Sequence, residues 1–185
     1  MDLTGTTHRL KDGRTAVIRP AGPGDAEAVT TLVNTVGAEG RWTLRDRATW
    51  TLEQEKATLA AADGQRSVFF LALVEGRVAG FVNVARGQWP KNEHVAELGM
   101  SCLPECRGVG LGTALLVTAI EWARSIGAQK LTLEVFSTNT PAIGLYRKLG
   151  FEEEGRLPGA YRIEGRYVDG VRMARWLGDA RPGND

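Results

Sequence analysis

The chain is poor in the residues that hold metals, make disulfides or cross membranes. It carries 2 cysteines and 2 histidines in 185 residues, too thin an inventory for a zinc site with the usual ligand spacing, so no metal is expected. Cys102 and Cys106 read as a small buried hydrophobe and a loop thiol. A Cys–His nucleophilic pair would need His94, and no local signature supports one. Excess charge is missing too. Lys+Arg number 23 and Asp+Glu 22, and a formal net charge of +1 gives no bulk attraction to nucleic acid or acidic membranes. No apolar run is long enough to span a bilayer, and Met1-Asp2-Leu3-Thr4-Gly5 lacks the apolar core of a signal peptide. The expectation is a cytoplasmic protein with no nucleic-acid or membrane partner. What is present, 43% hydrophobic and 24% charged residues, suits one domain over residues 1–178, with residues 179–185 as a frayed tail.

Periodicity and punctuation predict the elements. Gly13 to Pro20 reads as a first strand, stopped by Pro20 and Gly22-Pro23-Gly24. Asp25 is placed to cap a helix through about Val36, with Ala28, Val29, Leu32, Val33 and Val36 on one face. A second helix is predicted over Leu44 to Ala62, with Glu53, Glu55 and Lys56 in solvent. The link between them, Gly37 to Thr43 with Trp42, is a candidate lining for a binding site. Ser67–Val74 and Arg77–Arg86 form a hairpin about Glu75-Gly76, and His94–Leu103 a further strand. A helix to about Gly127, a strand over Lys130–Phe136 and a short helix over Thr140–Leu149 follow. The tail holds strands over Phe151–Ile163 and Arg166–Trp176, hinged at Glu164-Gly165. This order predicts an α+β layered fold, a mixed and mostly antiparallel sheet of about 6–7 strands with about 4 helices.

The most informative segment is Cys106-Arg107-Gly108-Val109-Gly110-Leu111-Gly112-Thr113, which joins an extended run to a strongly helical one. The unpaired N–H groups of a helix's first turn and its dipole favour an anion there, and glycines let a ligand's oxygens reach the backbone. Arg107 adds a positive charge. A Walker A loop fails for want of a lysine before Thr113. A dinucleotide fingerprint has Gly108 and Gly110 but Thr113 at its third position, or Leu115 when counted from Gly110; Glu134, about 20 residues on, keeps that reading open. A glycine-rich connection with no ligand is the third reading.

Downstream residues break the tie. Arg107-x-x-Gly110-x-Gly112 resembles the acyl-CoA pyrophosphate loop of the GCN5-related N-acetyltransferases (GNAT), and Asn139-x-x-Ala142-x-x-Leu145-Tyr146-x-x-x-Gly150-Phe151 resembles the second half of their signature. The motifs cover about Ala96 to Phe151, and the element order fits that fold over nearly the whole chain. The resemblance implies an acetyl-CoA-dependent acyltransferase working by direct transfer to a primary amine. It implies cofactor contacts from Met100, Ser101, Cys102, Arg107, Gly108, Val109, Gly110, Leu111, Gly112, Thr113, Asn139 and Lys148, with a strand bulge near Gly99 and Ser101 opening the slot. Tyr146 would protonate the departing thiolate. Two residues compete as base: Glu134, in the Leu133-Glu134-Val135 context of RimI-like ribosomal-protein alanine N-acetyltransferases, and Glu97 on the strand before the loop. Arg147 and Lys148, flanking Tyr146, are better placed than Arg124 to meet a 3′-phosphate.

The acceptor is less defined. Trp42, Leu44, the Asn83–Trp89 strand end and the C-terminal hairpin are its expected surroundings. The GRYVDxxxMAR tail, Gly165 to Arg175, is similar to bacterial amino-acid and small-molecule acetyltransferases of the RimL/YhhY sort, whereas the Glu134 context points to peptide N-termini. The aromatic hairpin also suits an ordinary edge pair or a homodimer seam. A non-catalytic acyl-CoA-binding regulatory domain is the alternative on the same fold.

Overall fold

The computed structural model describes residues 5–44 and 46–178. The strands are β1 (Thr6–Arg9), β2 (Thr15–Pro20), β3 (Ser67–Val74), β4 (Arg77–Arg86), β5 (Val95–Cys102), β6 (Lys130–Phe136), β7 (Glu152–Ile163) and β8 (Arg166–Trp176). The helices are α1 (Ala26–Gly37), α2 (Leu52–Ala61), α3 (Leu111–Ser125) and α4 (Thr140–Lys148). One 8-stranded sheet runs in the order β1-β2-β3-β4-β5-β6-β8-β7. Neighbours are antiparallel except β5 and β6, which are parallel across the α3 crossover. Among the described residues no helix is long and apolar enough to cross a membrane. The tail predicted to fray, residues 179–185, lies outside the described residues.

α3 lays Leu111, Leu115, Leu116, Ala119, Ile120 and Trp122 against one face of the sheet, where Val82, Val84, Leu98, Leu131, Leu133 and Met173 meet them. α1 and α2 cover the other face at β3, through Ala26, Val29 and Leu59 against Leu71. β3 is thus apolar on both faces, which is why Ser-Val-Phe-Phe-Leu-Ala-Leu-Val is an unbroken hydrophobic run rather than an alternation. β1 is the additional strand. Thr6-Thr7-His8-Arg9 buries nothing and has no apolar period, and its backbone pairing with β2 alone makes it a strand.

Two helix expectations change. The second helix starts at Leu52, not Leu44. Thr51 Oγ1 accepts the Gln54 N–H at 3.2 Å while the Gln54 side chain accepts the Thr51 N–H at 2.9 Å, a capping box that defines the first turn. Upstream, Asn34 Oδ1 accepts the Ala48 N–H at 2.7 Å and draws the chain along α1 instead. Glu53 and Lys56 pair in solvent at 2.8 Å, but Glu55 is buried. Asp25 does precede α1, yet its carboxylate turns back to Arg19 at 2.7 Å and to the Gly22 N–H at 2.9 Å, so it caps no α1 amide.

The strand expected to bulge does not. β4 and β5 pair in unbroken register from Gly80↔Cys102 to Arg86↔Ala96. The slot has a different origin. β5 and β6 pair only over Val95↔Lys130 to Glu97↔Thr132; beyond that β5 stays on β4 while β6 stays on β8 as far as Phe136↔Gly170. The two parallel strands separate like the arms of a V, and both candidate functional cavities adjoin that opening.

Candidate active site

The first cavity, about 580 Å³, is built from the end of β5, the turn into α3, and α4. Gly110 is the N-cap of α3 and sits at φ +100, a left-handed backbone that a side chain strains. The helix's leading N–H groups have no carbonyl one turn earlier, and they face a space that Gly108 and Gly110 leave open. Gly112 is needed for close approach, because a Cβ there would stand 3.0 Å from Leu145 Cδ2 of α4. Helix dipole, free amides and missing side chains together suit the diphosphate of an acyl-CoA.

Of the residues expected to hold the donor, Met100, Ser101, Cys102, Arg107, Gly108, Gly110, Gly112, Thr113, Asn139 and Lys148 line this cavity. Val109 and Leu111 do not. Leu111 is fully buried in the core beneath the helix, and Val109 turns its carbonyl to the Lys11 N–H at 2.9 Å. Arg147 and Arg124 are also elsewhere: Arg147 is exposed near Glu153 at 3.8 Å, and Arg124 Nε donates to the Leu177 carbonyl at 3.2 Å. Lys11, in the β1–β2 turn, does line the cavity. Nothing in the local pattern marked it, because its approach depends on the β1–β2 hairpin crossing to the loop.

Asn139 caps α4, with Oδ1 accepting the Ala142 N–H at 3.2 Å, and presents Tyr146 two turns on. Tyr146 packs its ring 5.9 Å from Phe151, the aromatic of the Gly150-Phe151 pair. Burial pushes its phenol well above the ordinary value of 10, with the neighbouring Cys102 thiol adding to the rise. Burial likewise pushes the Cys102 thiol up to about 12. Of the two cysteines, Cys106 is the one buried in the core, while Cys102, expected among the donor contacts, lines the cavity.

A second cavity, about 750 Å³, lies on the sheet face opposite α3 and is lined by Asn83, Trp89, Glu97, Gly99, Lys130, Thr132, Glu154 and Arg172 among others. Strand alternation turns Glu97 and Gly99 to this face because Leu98 points into the α3 core. Gly99 admits the Asn83 amide, whose Oδ1 would be 2.8 Å from a Cβ at position 99. The Glu97 carboxylate has no hydrogen-bond or ion-pair partner among the described residues. Glu154 bridges Lys130 and stands 3.8 Å from Arg172 Nε. The other candidate base is differently placed. Glu134 lines neither cavity and accepts a short hydrogen bond from the Tyr161 hydroxyl, whose ring packs on Phe136 at 4.6 Å. Burial, then Glu134, pushes the Tyr161 phenol up to about 12.

Residues 37–151 match the family model described as acetyltransferase (GNAT) family. The chain belongs to that family. It is 34% identical to streptothricin acetyltransferase of Streptomyces lavendulae over 165 residues, covering 79% of this chain and 84% of that one. It is 35% identical to the L-amino acid N-acetyltransferase AaaT of Escherichia coli over 109 residues, 57% of this chain and 65% of AaaT, so that match spans just under two thirds of the relative. A crystal structure of a GNAT-family acetyltransferase from Streptococcus pneumoniae superposes with TM-score 0.84 at 31% identity, covering 88% of this chain and 99% of the other. This GNAT chain is an acetyl-CoA-dependent N-acetyltransferase.

Proposed function

We propose that this GNAT enzyme acetylates the primary amine of a small zwitterion such as an amino acid, with acetyl-CoA in the first cavity and the acceptor in the second. The observation that carries this reading is the meeting of the two cavities on β5. Met100, Ser101 and Cys102 line the first, Leu98 and Gly99 the second, and the change falls just past the point where β5 leaves β6. The second cavity also holds both signs of charge, the unpaired Glu97 carboxylate and the Arg172 guanidinium. An amino acid needs that combination, an anion for its ammonium and a cation for its carboxylate. The amino-acid acceptor in AaaT's name supports the same class.

Acetyl-CoA supplies the activated thioester; the chain's task is to take one proton and give another. Glu97 takes the proton that the acceptor ammonium must lose before nitrogen can attack. Tyr146 gives its phenolic proton to the sulfur as the C–S bond breaks. A phenol is a weak acid, but desolvation in this cavity raises thiols as well as the phenol, as Cys102 at about 12 illustrates, so a thiolate formed beside Tyr146 gains basicity along with its proton donor. Glu134, already held by Tyr161, serves the β6–β7–β8 framework.

A thiol-release assay with acetyl-CoA across free amino acids, their amides, polyamines, aminoglycosides and short peptides tests this reading. Turnover is expected with free amino acids and is expected to fall for their amides. Arg172→Met should raise the acceptor KM about tenfold or more through loss of a charge-assisted pair and leave acetyl-CoA affinity unchanged. Turnover confined to peptides, with Arg172→Met silent, would sink the small-zwitterion reading.

A further inference from the structure

Arg107 stands where the loop's positive charge was expected to meet phosphate, but its nitrogens are already engaged. Nη1 and Nη2 donate to the two carboxylate oxygens of Glu39 at 2.8 and 2.5 Å, and Nε donates to the Cys102 carbonyl at 3.0 Å. Glu39 belongs to the segment between α1 and α2, and its side chain is only 17% exposed. The same carboxylate accepts the Trp42 indole N–H at 2.8 Å. Arg41 lies 4.8 Å over the Trp42 ring and 3.9 Å from Glu39. Trp42 and Thr43 in turn line the first cavity together with the loop and α4. Arg107 holds the Glu39 carboxyl below its usual range, so Glu39 is an anion at neutral pH and the pair is close to neutral.

We propose that Glu39 is a positioning residue: clamped to Arg107 of the pyrophosphate loop, it fixes Trp42 as a wall of the donor cavity. Arg107 then acts as a strut between loop and wall and not as a phosphate ligand. The diphosphate is left to the backbone amides of the loop and the first turn of α3, and to Lys11 and Lys148, the other cations that line this cavity. Because the segment from Ala38 to Trp50 has no regular secondary structure among its described residues, no backbone ladder orients Trp42. A bidentate pair with an added indole bond supplies direction that the backbone does not. The proposal rests on the first cavity being the donor site.

Calorimetric binding of CoA and single-turnover acetyl transfer, measured on Glu39→Gln, Arg107→Gln, Trp42→Phe and the Glu39→Gln/Arg107→Gln pair, test it. Each single variant is expected to slow transfer about tenfold while CoA Kd stays within about threefold, because a displaced wall misaligns the thioester more than it weakens a backbone-held diphosphate. The double variant should be no slower than either single one, as for two members of one clamp. Acrylamide quenching assigned to Trp42, by difference from Trp42→Phe, should rise in Glu39→Gln. Glu39→Asp, which keeps the charge, should recover part of the rate. A CoA affinity loss of tenfold or more in Arg107→Gln but not in Glu39→Gln, relieved by salt, would make Arg107 a phosphate ligand and overturn the proposal. Transfer unchanged in Glu39→Gln would overturn it as well. Gly110→Ala reports on the donor site separately: CoA binding unaffected there would discredit the cavity reading itself.

Discussion

Two side chains, Glu97 and Tyr146, carry the chemistry proposed for this site, and each is defined by what surrounds it. Tyr146 keeps its proton through the neutral range because burial disfavours the phenolate, as the proposed proton donor must. Tyr146→Phe preserves the ring contact with Phe151 and should cut kcat about a hundredfold with little change in CoA Kd, measured by thiol release and calorimetry. Sequence leaves Glu97 and Glu134 both open as the base, and hydrogen bonding separates them: Tyr161 occupies Glu134. Glu97→Gln should lower kcat/KM about a hundredfold in the thiol-release assay. Glu134→Gln should leave kcat/KM within about threefold and act on stability through Tyr161. An unchanged kcat/KM in Glu97→Gln would return the base to Glu134 or to water.

At the level of elements, local signals are legible in the sequence where cap, helix and stop are contiguous. α3, between Gly110 and Gly127, and the Asn139 to Phe151 run each combine a cap, a helix and a glycine stop in one contiguous stretch, so their geometry follows from short-range sterics. The α2 start is not legible in the sequence because an amphipathic-looking stretch from Leu44 onward hides the Thr51–Gln54 capping box, and Asn34 of α1 diverts the upstream chain. Both tight hairpins place a glutamate and a glycine in left-handed backbone: φ 52 and 76 at Glu75-Gly76, φ 48 and 80 at Glu164-Gly165. That is the type I′ pattern, which asparagine tolerates better than glutamate at its first position. Glu75→Asn should therefore raise stability by about 0.5–1 kcal/mol, seen as a higher urea midpoint with unchanged slope. A lower midpoint would mean that Glu75 makes a compensating interaction in the turn.

For the whole molecule, pH stability is bounded on both sides by identified groups. Asp25 is depressed chiefly by Arg19, Glu39 by Arg107, and Asp63 by the backbone N–H groups of Arg66, Gln65 and Ser67. Their stabilisation is present above the unfolded values of 3.8 for Asp and 4.5 for Glu and is lost as pH falls through the lower folded ones. Cys102 and Tyr146 have raised values and contribute in the opposite sense: their stabilisation is full below the unfolded values of 9.0 and 10.0 and is lost as pH rises. Thermal unfolding followed by circular dichroism should show a plateau between about pH 5 and 9, with Tm falling on either side. Cys102→Ala should soften the alkaline fall; an identical fall would assign it to Tyr146 and the remaining tyrosines.

The sequence by itself determined the layered sheet, the glycine cradle and the family, because turns, caps and helix starts depend on neighbours in the chain. Tertiary structure alone decided that Glu97 and not Glu134 faces a cavity, that Lys11 lines the first cavity, and that Arg107 is bound to Glu39, 68 residues earlier. Those assignments depend on where β5 parts from β6 and on which side chain fills a partner's hydrogen-bonding capacity first. Such outcomes are set by contacts between distant segments, and periodicity along the chain does not encode them.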